Sequence, residues 1–111
     1  MNNSYRVLIH TFQNDAPSQH TVAQSLTQEF AEKLSKALTR LCKTIPMMFG
    51  DIHLLPTLMQ DDGTYEIFAQ SLQEEVEISH IQAKLILDKI REIGTIPGVY
   101  IDGATFSVKQ E

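Results

Sequence analysis

From Val22 to Ile45, apolar residues return every three or four positions: Val22, Leu26, Phe30, Leu34, Leu38, Leu41 and Ile45. That spacing lays one apolar stripe along a helix of 3.6 residues per turn, and no other feature constrains the fold as strongly. Glu29, Glu32, Lys36, Thr39 and Lys43 fall mostly on the opposite side. Thr21 with Gln24 has the form of a capping box. Pro46 stands where the helix should stop, because its ring lacks the amide and clashes with the preceding turn. A second helix is predicted from Ser79, with Gln82 as its capping partner, to about Ile93, and Gly94 is placed for a left-handed C-terminal cap.

Around these helices the sequence predicts strands. Tyr5 to Phe12 is rich in aromatic and β-branched residues. Gln13 to Ser18 is polar, holds Asp15 and Pro17, and reads as a loop. Asp51 to about Met59 reads as a strand at a sheet edge or bulge, because Pro56 cannot donate to a ladder. Asp61-Asp62-Gly63 signals a tight hairpin into a third strand, Thr64 to about Leu72. Glu74, Glu75 and Glu77 read as a solvated connection. Pro97-Gly98 turns the chain into Val99-Tyr100-Ile101, and Asp102-Gly103 is either a second hairpin turn or a bulge before Ala104 to Val108.

The expected order is therefore βαββαβ: an α+β, ferredoxin-like sandwich with an antiparallel sheet, two helices on one face, and a possible extra C-terminal hairpin. At 111 residues the chain suits a single domain, residues 1–111, able to bury its own core.

Composition excludes more than it selects. The net charge of −5 and scattered basic residues argue against nucleic acid as a partner and against an anionic membrane surface. No apolar run approaches the ~20 residues that span a bilayer. The apolar residues Val7 to Ile9 are too few for a signal peptide, so cytoplasmic residence is the expected default. Cys42 is the single cysteine, which excludes an internal disulfide and reads as a small core residue. No phosphate-cradling glycine motif, calcium loop or paired-histidine metal motif occurs, so no cofactor and no metal are expected.

What remains is the sheet face that the helices would leave open. Alternation places Arg6, Leu8, His10 and Phe12 there, with His53, Leu55, Phe68 and Tyr100 from the other strands. Leu8, Phe12, Leu55 and Phe68 together are too apolar for a monomer to leave in water. In the second helix Ile81 and Leu85 lie off the main stripe, which fits either a subunit contact or cover by a loop or tail.

The expected order is similar to that of dimeric α+β barrel proteins, in which two open sheet faces close on each other. The basic-aromatic third strand of the RNA-recognition motif, the paired cysteines of heavy-metal-binding domains and the N-terminal proline of tautomerases are all missing. Two functions are expected from this. The first is a non-catalytic binding or regulatory protein, acting as a homo-oligomer, expected to be a dimer, or by docking on another protein through the open face. The alternative is a cofactor-independent enzyme on small organic molecules, with a pocket between two subunits and His10 or His53 as base.

Overall fold

A computed structural model describes residues 4–111, except for the side chains of Asp102 and Gly103. Strand β1 (Tyr5–Gln13) and strand β2 (Ala16–Leu26) form an antiparallel hairpin. Its turn is Asn14-Asp15, both at positive φ (52° and 67°). Two such residues make the turn whose twist matches the flanking strands, and Asn and Asp tolerate that conformation better than most. The segment expected to be a loop is thus a hairpin. Pro17 is accommodated because β2 is an edge strand. The pairing slips around Val22, and Ser25 also takes positive φ.

Helix α1 (Gln28–Met48) starts later than the apolar stripe suggests. Thr27 is its cap, accepting from the Phe30 amide at 3.2 Å, so Thr21 and Gln24 form no capping box there. Val22 and Leu26 belong to β2 and reach the same core from a strand. Pro46 lies inside the last turn, and the helix runs two residues beyond it.

The next segment departs most from expectation. Asp51 to Met59 is a 3-10 turn (Ile52–Leu54) and a short helix α2 (Leu55–Met59), with Pro56 in the first turn, where a missing amide costs nothing. Asp61-Asp62-Gly63 opens helix α3 (Asp62–Val76) instead of a hairpin. The Asp61 carboxylate accepts from the Thr64 amide at 3.0 Å and the Thr64 hydroxyl at 2.9 Å, and these bonds hold its pKa below the usual value. Tyr65, Phe68, Ala69, Leu72 and Val76 then make a buried helical stripe. Glu74 and Glu75 lie in this helix, and Glu77 caps it in a left-handed conformation.

Helix α4 (His80–Ile93) begins at the expected Ser79–Gln82 capping box. Gly94 ends it in a right-handed conformation, not the left-handed one expected. The Pro97-Gly98 turn follows, with Gly98 at φ 83°. A β-carbon on Gly98 would lie 2.6 Å from Asn14 Oδ1, and the Gly98 carbonyl accepts from the Asn14 amide at 3.0 Å. Glycine is needed there because the two turns meet.

Strand β3 (Val99–Gln110) pairs antiparallel with β1, giving the order β2-β1-β3. It runs continuously, so no extra C-terminal hairpin forms. Its register slips between Tyr100 and Thr105, opposite Thr11. The side chain of Asp102 lies outside the described residues. The α+β class holds, but the order is two strands, the helices, then one strand, not βαββαβ. The helices cover the face bearing Val7 and Ile9. Both are fully buried with Leu34, Leu38, Phe68, Leu72, Leu87 and Ile90, each such side chain contributing about 1.5–3 kcal/mol.

Candidate functional site

Strand alternation is preserved in β1, so the expected open face exists in part. Val7, Ile9 and Thr11 are buried, while Arg6, Leu8, His10 and Phe12 point the other way. Arg6 stands opposite Lys109, Leu8 opposite Ser107, His10 opposite Thr105, and Phe12 opposite Tyr100. Phe12 is 45% exposed and Tyr100 53%, whereas Leu8 is 5% exposed.

Three residues expected on that face are elsewhere. His53 is in the 3-10 turn, where its amide donates to Asp51 Oδ1 at 2.9 Å. Leu55 (1% exposed) and Phe68 (0%) are core residues of α2 and α3. They left the face because their segment is helical. His10 and His53 therefore do not share a sheet.

His10 does have a chemical neighbour, since its Nε2 lies 2.7 Å from Ser107 Oγ. That is the reach of a base to a hydroxyl nucleophile. Both groups sit on an open strand face from which water is not excluded, so the contact works as a cross-strand hydrogen bond. Another cross-strand hydrogen bond, Thr11 Oγ1 to Ser18 Oγ at 2.6 Å between β1 and β2, lies on the covered side. His20 is on β2 opposite Ile9, with Nε2 buried and unbonded. His80 opens α4 as expected, 3.4 Å from Glu66. Among the described residues no three His, Cys, Asp or Glu side chains converge as a metal site requires.

An apolar recess lies on the helical side. A groove of about 380 Å³ opens between β2, the start of α1 and α4. Val22, Leu26, Phe30, Ile78 and Ile86 line it, with Leu85 on its rim. Leu85 is 62% exposed, and Ile81, one turn earlier on α4, is 72% exposed. Among the described residues neither a loop nor the C-terminal segment covers them, because that segment runs along β1, with the Glu111 amide bonded to the Ser4 carbonyl at 2.7 Å. Sequence periodicity singled out Ile81 and Leu85 but not the recess, part of which comes from a strand that reads as helix.

The inner side of α4 is fixed by a polar cluster that the sequence did not reveal. The Tyr65 hydroxyl bonds to Asp88 and lies 3.0 Å from the Lys84 carbonyl, and the Arg91 guanidinium stacks 4.2 Å from the ring centre. Burial, then the Asp88 contact, raises the Tyr65 pKa well above its ordinary value. Lys84 also meets Glu66 at 2.7 Å and holds that carboxyl below its usual range. Cys42 is fully buried in α1, which pushes its thiol up to about 12 and makes it a poor nucleophile.

No family model, curated protein or solved structure matches this chain. Among the described residues, no helix is long and apolar enough to cross a membrane.

Proposed function

We propose that the chain is a non-catalytic binding module that acts as a homo-oligomer. Its contact surface in this reading is the β2–α4 groove rather than the open sheet face expected from the sequence. One observation carries it: Ile81 and Leu85 stand exposed beside an apolar recess lined by Val22, Leu26, Phe30, Ile78 and Ile86. Exposed apolar surface arranged around a groove is characteristic of interaction sites. A two-fold contact needs one patch that carries both the projection and the recess it enters. This patch carries both. With its surroundings it would form the centre of an interface of about 800 Å² per partner.

Sedimentation equilibrium from low to high micromolar concentration tests the reading. The expected result is a concentration-dependent dimer that Leu85→Glu with Ile81→Glu converts to a monomer with unchanged helical content. A chain that stays monomeric throughout, or a dimer indifferent to both substitutions, would overturn it.

A further inference from the structure

The sheet face that no helix covers differs in character from the groove. Arg6 and Lys109 stand directly opposite each other on β1 and β3. Like charges in that relation repel unless an anion lies between them. Lys33, Arg40, Lys84 and Arg91 each meet a carboxylate, whereas Lys36, Lys43 and Lys89, which stand on helices and face no second cation across a ladder, meet none among the described residues. Among the described residues, Arg6 and Lys109 meet none, and Arg6 Nε is buried without a hydrogen-bond partner. Glu111, two residues past Lys109, is engaged with the Ser25 amide at 2.6 Å. The positions of β2 that continue these rows, Thr21, Gln19 and Pro17, carry no charge. A chain of net charge −5 thus turns an uncompensated cationic pair outward on this face.

The other end of the same face is aromatic. Phe12 and Tyr100 are paired and exposed, with the Asn14-Asp15 turn and Gly98 beside them. Arg6 and Phe12 are six residues apart on one strand, which is about 20 Å at ~3.3 Å per residue.

We propose that this face is a second binding site, for an extended acidic segment of a partner protein. The segment places a carboxylate between Arg6 and Lys109 and a large apolar side chain against Phe12 and Tyr100, about six residues further along. The ligand chemistry follows from charge complementarity at one end and exposed rings at the other. Two fixed cations suit one or two carboxylates better than a phosphate backbone, which rewards many contacts. A second copy of the same face would bring cations onto cations. This inference does not depend on the groove.

The test uses the full chain carrying Leu85→Glu with Ile81→Glu, so that self-association does not contribute. The probe is a fluorescein-labelled ten-residue peptide with two glutamates near one end and a tryptophan six residues on, read by anisotropy. The controls are the same peptide with lysines for the glutamates and a ten-nucleotide oligothymidine. The glutamate peptide is expected to bind and the lysine peptide to bind at least about tenfold more weakly. Arg6→Ser with Lys109→Ser should weaken the glutamate peptide about tenfold, and Phe12→Ala severalfold. Lys109→Glu alone, at an exposed position, repeats the charge test if the double variant fails to fold. Absence of glutamate-peptide binding, equal binding of the lysine peptide, indifference to Lys109→Glu, or tighter binding of the oligothymidine would each overturn the proposal.

Discussion

Helix α4 and strand β1 each bury one side and show the other to solvent, and the two exposed sides are built from different materials. The outer side of α4 offers Ile81 and Leu85 beside an apolar groove. The outer side of β1 offers Arg6, His10 and Phe12, with Lys109 and Tyr100 across the ladder. The first surface is unfavourable in water because of its hydration, the second because of unbalanced charge. Contacts made through them should therefore respond to different variables.

The largest test compares the two sides of α4. Leu87 is fully buried, so Leu87→Ala should cost about 2–5 kcal/mol in urea unfolding, whereas Leu85→Ala should stay within about 0.5 kcal/mol. A comparable loss for Leu85→Ala would mean that the outer side is core and the groove is covered.

Alkaline pH probes the inner side next. The Cys42 thiol is raised from 9.0 to about 12, and Tyr65 is raised as well. The folded chain holds these protons more tightly than the unfolded chain. The stability they confer is complete below pH 9.0 and is lost as pH rises towards 12. Urea midpoints measured across that window should fall, and Cys42→Ala should remove part of the slope.

Salt separates the two outer surfaces directly. Between about 50 and about 300 mM NaCl, self-association through the groove should change less than about twofold, while peptide binding at the sheet face should weaken severalfold. Equal responses would show that one surface serves both contacts. The smallest effect concerns the turn beside the aromatic end. Asp15→Gly should stabilise the chain by a few tenths of a kcal/mol, roughly 0.5. It should also leave peptide binding unchanged if Phe12 and Tyr100 are positioned by the ladder and not by the turn.

Sequence reading succeeded where independent signals agreed. Ser79, Gln82 and the buried stripe of α4 all specify one helix, and that helix forms over the expected range. It failed where one residue type serves two structures. Asp61 before Asp62-Gly63 fits a hairpin turn and a helix cap equally well, and Tyr65, Ile67 and Ala69 alternate as strand residues would. The deciding fact is that Ile67 is 49% exposed while Phe68 is buried, a helical relation that only packing against α1 and α4 reveals. At the other end, Val22 and Leu26 extend the stripe of α1 by coincidence of spacing while belonging to β2. The candidate face was legible for Arg6, His10, Phe12 and Tyr100, whose strands exist. It was lost for His53, Leu55 and Phe68, whose strands do not.

The bond between Ser4 and Glu111 closes β1 against the last residues of the chain. During synthesis, then, β1 pairs early with β2 on one edge and keeps its other edge unfilled until β3 leaves the ribosome. Sheet completion waits for a closure that spans all the helices, which makes folding slow relative to those local elements. A nascent chain stalled before Val99 would expose the edge of β1 as a template for pairing with other chains.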